Sequence, residues 1–324
     1  MSGNEMLNTN KSEISQKIKR FAHDLGFEKV GIARAESLDP APLEKWLRRN
    51  YHGKMAYMQN NIEKRLDPRN LVEGAKSVIS VAKNYYTPQK HSTDFAVGRI
   101  SRYAWGDDYH DVLRPRLKEM LTHIQKLVPS CNGRVFVDTA PIMDKQWAVR
   151  AGIGWQGKNS NVITREFGSW IFLGEIVVDI ELDYDTTIKD YCGTCTRCID
   201  ACPTGAIVEP YVVDANRCIS YLTIELKPEH EIPADLKTKM GNLVFGCDIC
   251  QDVCPWNSKF AQETDEAAFQ PRPHNLNPPL ERLSKLDTKE FQIKFRKSPI
   301  KRAKFKGFLR NVQAAWENYK RNKM

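Results

Sequence analysis

The chain has 324 residues, 49 Lys and Arg against 40 Asp and Glu, a formal charge of +9, and nine cysteines. That length allows about two or three domains with ample core, and no apolar run approaches the eighteen or so residues of a spanning helix. The N-terminal MSGNEMLNTNKSEISQKIKR lacks an apolar signal core, so a soluble cytoplasmic protein is expected, where clustered thiols mean metal rather than disulfides.

The spacing predicts an amphipathic helix over 12–25, with Ser12 as cap, Ile14, Ile18, Phe21, Ala22 and Leu25 on one face, and Gly26 as the stop. Lys29 to Ala33 and Ser77 to Ala82 read as strands. Val112, Leu113, Leu117, Met120, Leu121, Ile124 and Val128 recur at helical steps, which predicts a helix over 109–128. Arg134 to Asp138 reads as a strand ending on an acid, followed by a helix around Trp147. Asn161–Thr164 and Trp170–Ile180 are expected to pair as a β-hairpin. Helices alternating with strands argue for an α/β domain over 1–185. A cysteine-rich module follows over 186–260, and then a Pro- and Asn-rich connector with a basic helical tail over 261–324.

The charge is unevenly placed. From Phe291 to Met324 there are eleven Lys and Arg and a single acid, Glu317; the rest of the chain has 38 basic and 39 acidic residues. A basic stripe on one segment is the footprint of phosphate binding; a solvated helix face or an acidic protein partner would look the same.

Eight of the nine cysteines fall in one stretch. Cys192-x2-Cys195-x2-Cys198-x3-Cys202-Pro203 is the bacterial ferredoxin run, in which three thiolates hold one [4Fe–4S] cluster and the fourth crosses to another. The second run, Cys247-x2-Cys250-x3-Cys254-Pro255, has Val244 where a further cysteine would stand. By the crossing rule Cys192, Cys195 and Cys198 take Cys254, while Cys202, Cys247 and Cys250 lack one thiolate that Cys218 can supply. Two four-ligand clusters result, with Cys131 left over as a buried, inert thiol. Paired C-x2-C units also bind zinc, but zinc sites rarely show three thiolates at x2 spacing ending in x3 and Cys-Pro.

Clusters carry single electrons, so bond chemistry is expected elsewhere. The best candidate is 138–159, DTAPIMDKQWAVRAGIGWQGKN, where Asp138 ends a strand. Its glycine-rich loop could let a large planar or phosphate-bearing cofactor approach the backbone. Taken alone, Asp138 is also a plausible helix cap. Asp108-x-His110 lacks the glycine of the D-x-H-x-x-G cobalt-ligand loop, since position 113 is Leu.

Together EKRLDP, SRYAWGDDYHDVL, VDTAP, AGIGWQGKN, CGTCTRCIDACPTGAI, NRCISYLTIE and GCDICQDVCPWN resemble the epoxyqueuosine reductase family, along most of the chain. The resemblance implies an α/β (α+β) cobalamin-binding domain related to that of reductive dehalogenases, with an inserted two-cluster ferredoxin-like module and a short basic helical tail. It implies two [4Fe–4S] clusters and a base-off cob(II)/cob(I)alamin without a protein histidine on cobalt. Electrons from a low-potential donor would pass through the clusters to give cob(I)alamin, which attacks the epoxide of epoxyqueuosine at the tRNA wobble position. The substrates would be tRNAs with GUN anticodons, and a monomer is expected.

The family's proton donor falls on Asp138, where partial burial would suit the role. Corrinoid contacts would fall on Arg65, Ser101, Asp138, Lys158, Asn159, Ser220 and Asp248. Asp108 and the tail, through Lys301, Arg302 and Arg310, would face tRNA. A small-molecule reductase of the dehalogenase type is the alternative, disfavoured because it has no need of the basic tail. A pure electron carrier would leave Asp138 without a task.

Overall fold

The computed structural model describes residues 3–323, and for residues 3–10 only the backbone. Four strands, β1 (Lys29–Arg34), β2 (Ser77–Asn84), β3 (Gly133–Phe136) and β4 (Ile171–Val178), form a sheet in the order β1-β2-β4-β3. Every pair is antiparallel. The class is mixed α/β, but reasoning from the carboxyl ends of parallel strands does not apply to it.

Both faces of the sheet are covered, which is why SVISVAKN is buried over its whole length. On one face α1 (Gly3–Asp24) and α2 (Tyr109–Leu127) bring Ile18, Ala22, Leu117, Met120 and Ile124 against Ile79, Val81 and Ile176. Helix α2 starts where Asp108 accepts a 3.1 Å bond from the His110 N–H. Leu117 is fully buried, so Leu117→Ala would cost roughly 2–5 kcal/mol. On the other face α3 (Asp144–Arg150) packs Trp147 and Ala148 on Val78, Ala82, Phe136 and Val177.

Several expectations change. Helix α1 already runs from Gly3, the first described residue, so Ser12 lies inside it rather than at its start. The expected hairpin is reduced to a single bridge, Thr164 to Gly168. Its first half, Val162–Ile163, pairs with Trp155–Gln156, and β4 instead takes the interior of the sheet between β2 and β3. Backbone bonding on both sides of β4 outweighs the local turn.

The segment expected as connector and tail is core. The strand Leu243–Phe245 pairs in parallel with Arg99–Ile100. Over that joint α4 (Ile219–Ile224) and α5 (Lys304–Arg321) pack, with Phe308, Val312 and Ala315 meeting Ile100, Phe245, Leu280, Phe291 and Phe295. The polypeptide at 264–269 returns to the sheet domain, where Thr264 N–H bonds the Tyr86 carbonyl at 2.8 Å and Phe269 joins its core. Among the described residues no helix is long and apolar enough to cross a membrane.

Candidate active site and cluster-binding module

Asp138 does not end its strand. β3 stops at Phe136, and Asp138 follows in a loop at φ +50°, a left-handed backbone that a non-glycine residue adopts at some cost. It caps no helix, because α3 begins only at Asp144. Its carboxylate is exposed rather than partly buried, and its Oδ2 accepts a 2.8 Å hydrogen bond from the Tyr109 hydroxyl. Burial, and then the charge of Asp138, push the Tyr109 hydroxyl far up, so it stays a donor.

Behind the loop stand two acids that sequence reasoning missed. Asp144 at the start of α3 is pushed up to about 6 by desolvation, with Asp138 adding to it. Glu175, in the middle of β4, is fully buried and neither of its carboxyl oxygens has a hydrogen-bond partner. Desolvation, and then the charges of Asp144 and Asp138, push it well above the usual carboxylate range and so favour its protonated form. An acid inside the apolar run IFLGEIVV was the signal available.

The glycine-rich loop packs against its own chain. A Cβ at Gly154 would lie 2.2 Å from the Ile163 carbonyl oxygen, and one at Gly152 would lie 2.5 Å from that of Thr186, at φ +71°. Close backbone packing therefore accounts for these glycines, not the approach of a cofactor. Lys158, on the same loop, gives its ammonium to the carbonyls of Gly193 at 2.6 Å and Cys195 at 3.0 Å. Asn159 is buried and donates to the Cys250 carbonyl at 3.3 Å. The loop is a brace for both cysteine runs.

The other expected corrinoid contacts also bond within the chain. Arg65 is buried and donates to the carbonyls of Tyr57 at 2.8 Å and Asn60 at 3.3 Å. The Ser101 hydroxyl donates to Asp248, whose other oxygen takes the Arg102 N–H at 2.7 Å and His91 at 3.2 Å. Burial alone would raise the Asp248 carboxyl, but these bonds outweigh it and hold it below the usual range. The half-buried Ser220 hydroxyl makes no hydrogen bond among the described residues.

The cysteines fall into two groups. Cys192, Cys195, Cys198 and Cys254 line one cavity of about 240 Å³. Cys218 feels the charge of Cys202, Cys247 that of both, and Cys250 that of Cys247 and Cys218 and then of Cys198 in the first group; burial is the first cause raising Cys218, Cys247 and Cys250. Among the described residues no three such side chains converge on a single ion position; the first four ring a space instead, the arrangement a cubane cluster requires. Cys131 is buried away from both groups, its thiol pushed up to about 12 by desolvation.

The basic tail divides by partner. Arg302 forms a two-pronged ion pair with Glu225, at 2.8 and 3.0 Å, beside the Tyr57 hydroxyl, which lies 3.4 Å from Glu225. Arg310, expected to meet phosphate, instead directs its guanidinium to the carbonyls of Leu222, Leu226, Lys227 and His230 at 2.8–3.2 Å. Lys301 is exposed and has no such partner among the described residues. Asp108 caps α2 and also binds the His110 ring at 2.7 Å, while its N–H holds the Lys297 carbonyl at 2.9 Å.

Residues 191–257 match the family model described as a 4Fe-4S double cluster binding domain. Fold and site therefore define an iron–sulfur oxidoreductase in which a double-cluster module is built onto a mixed α/β domain. Residues 65–139 match the model described as epoxyqueuosine reductase QueG, DUF1730. An epoxyqueuosine reductase of Cyclobacterium marinum is 51% identical over 301 residues, spanning 92% of this chain and 95% of that protein. The Escherichia coli enzyme is 44% identical over 312 residues, covering 95% and 82%. The crystal structure of an epoxyqueuosine reductase with an epoxyqueuosine-modified tRNA-Tyr stem loop superposes with a TM-score of 0.87 at 32% identity, covering 95% of this chain and 82% of that one. A Bacillus subtilis relative, captured with an aspartate catalytic loop swung out of the active site, gives 0.86 at 31% identity over the same shares. The chain belongs to the epoxyqueuosine reductase family.

Proposed function

We propose that this chain reduces epoxyqueuosine to queuosine at the wobble position of tRNA, with Asp138 as proton donor. The observation that carries the reading is the conjunction of two four-cysteine groups with an exposed, strained carboxylate braced by Tyr109. The relative crystallised with a modified stem loop supports the substrate. The overall change consumes two electrons and two protons and releases the epoxide oxygen as water.

The cysteine groups fit two [4Fe–4S] clusters by donor type and number, Cys192, Cys195, Cys198 and Cys254 for one and Cys202, Cys218, Cys247 and Cys250 for the other. A corrinoid fits by kind of donor: Ser220 offers a hydroxyl, and Tyr57 and Tyr103, whose hydroxyls feel the charge of Asp138, offer phenol donors. Arg65, Ser101, Lys158, Asn159 and Asp248 would hold the surrounding loops in place rather than grip the ring. When bound, these groups supply single electrons and a strongly nucleophilic reduced cobalt. Asp138 delivers the proton that lets the opened oxygen leave, and Tyr109 fixes the orientation of its carboxyl. Lys301 supplies phosphate affinity.

The test is anaerobic turnover of an epoxyqueuosine-containing stem loop by protein reconstituted with iron, sulfide and cobalamin and driven by titanium(III) citrate. Nucleoside mass spectrometry should show loss of one oxygen. Asp138→Asn should keep iron and cobalt content and lose turnover; unchanged turnover would remove Asp138 from the chemistry. A protein that binds iron but leaves the stem loop untouched would be an electron carrier.

A further inference from the structure

The cavity ringed by Cys192, Cys195, Cys198 and Cys254 opens among aromatic side chains that the proposed reaction does not use. Trp155 meets Tyr191 and Trp256 edge-on, at 5.3 and 4.8 Å, and Trp256 stacks at 5.2 Å on Phe260, which is 41% exposed. Phe260 is not alone: with the half-buried Tyr191 and Trp256 it makes a contiguous aromatic patch beside the cavity, the kind of exposed apolar surface that marks an interaction site.

Charge identifies that partner. The Arg165 guanidinium lies over the Tyr191 ring at 4.3 Å, Arg197 lines the cavity, Lys189 is two residues before Tyr191 and Lys259 adjoins Phe260. All four are exposed, and among the described residues none has a carboxylate within ion-pair distance, whereas nearby Lys29 takes Glu166. Two acids lie among them: Asp190 accepts from the Cys192 N–H and from the Tyr211 hydroxyl, both at 2.6 Å, and Asp200 accepts from Thr196 at 2.7 Å. Four cations against these two carboxylates leave the face net positive around an apolar centre.

Its position separates it from the substrate. The side chains that feel the charge of Asp138 include Tyr57, Tyr103, Tyr109, Asp144, Glu175 and Arg302, and none belongs to this face. RNA phosphate has no reason to seek the mouth of a thiolate-lined cavity; an electron carrier must.

We infer that the face formed by Arg165, Lys189, Arg197, Lys259, Trp256 and Phe260 docks an acidic one-electron carrier protein and is the entry port for electrons. The inference rests on the reading that the adjacent cysteines hold a cluster. In each encounter the carrier is oxidised by one electron and that cluster is reduced by one, and no bond or proton changes hands. Complementary charge speeds such encounters and makes them salt-dependent.

The experiment follows cluster reduction by stopped-flow absorbance in the reconstituted full chain, with a reduced acidic [2Fe–2S] ferredoxin or with titanium(III) citrate. For the native sequence the ferredoxin rate should fall steeply with added salt. Arg165→Glu with Lys259→Glu should lower that rate by about tenfold or more and flatten its salt dependence, leaving titanium(III) reduction unchanged. Phe260→Ala, at an exposed site outside the cysteine runs, should slow the ferredoxin reaction without altering its salt slope. Equal rates and equal salt slopes in native and charge-reversed protein would overturn the inference. So would loss of stem-loop affinity in the charge-reversed protein with its ferredoxin rate intact, which would give the face to RNA. Failure of titanium(III) to reduce the native protein would instead strike at the cluster reading itself.

Discussion

The Tyr109 hydroxyl donates a 2.8 Å hydrogen bond to Oδ2 of Asp138, tying the first residue of α2 to a loop that β3 launches in a left-handed turn. Because burial keeps Tyr109 protonated, the bond persists across the working pH range. A hydrogen bond of this kind contributes about 0.5–1.5 kcal/mol. Tyr109→Phe should therefore slow single-turnover reduction of a bound stem loop by up to about tenfold, with stem-loop affinity unchanged. An unaltered rate would show that the loop needs no such brace.

The acids behind that loop make stability depend on pH. Asp144 has its folded pKa raised to about 6 from 3.8, chiefly by desolvation. The sign follows from linkage: its contribution is fully present below about pH 4 and is lost as pH rises through about 6. Asp144→Asn should reduce the decline in urea-unfolding free energy across that window, by on the order of 2 kcal/mol. A decline as steep in the variant as in the native protein would assign it to other groups.

Glu175 carries two unpartnered oxygens in a fully buried strand, facing Ser80 and Phe136 across its neighbours. Such a group costs more than an apolar side chain of similar volume. Glu175→Leu should raise the unfolding free energy by about 1–3 kcal/mol. If the same variant also loses turnover, the buried acid has a part in supplying protons to Asp138.

Arg310 and Lys301 should separate in behaviour. The Arg310 guanidinium satisfies four carbonyls at the end of α4 and the turn after it, so Arg310→Ala should destabilise the fold by roughly 2–4 kcal/mol. Lys301→Ala should leave the denaturation midpoint unchanged and lower the salt slope of stem-loop binding by about one. The reverse pattern would return Arg310 to the RNA surface.

The pairing of the cysteines is open to counting. Cys254→Ala and Cys192→Ala should each reduce iron from about eight to about four per chain, and the double variant should lose no more than either. Cys254→Ala combined with Cys202→Ala should lose nearly all. Equal losses in both double variants would contradict the crossing.

The grouping of the cysteines was legible in the chain, because metal ligation leaves a rigid one-dimensional signature, which three-dimensional packing does not blur. Helix α2 was legible from its period, whereas the role given to Asp138 rests on its motif and stays a proposal. The bonds of Lys158, Asn159, Ser101 and Asp248 go to backbone and to each other, which no local pattern records. Arg310 looked like a surface cation because composition counts charge and does not see the four carbonyls that wait for it. The missed hairpin has the same origin: Trp170 to Ile180 pairs with strands more than thirty residues away in sequence.

The crossing of the two cysteine runs has a further consequence for how the protein is made. The first group spans residues 192 to 254 and the second 202 to 250, so the two are nested in the order of synthesis. Neither can be completed while the ribosome still holds the polypeptide short of Cys250, and the group begun first is finished last. Clusters ligated in this way could close no earlier than the emergence of the whole module, and α5, which packs over the joint at Phe245, lies later still in the chain. The two centres would thus be assembled together or not at all, as one unit rather than one after the other.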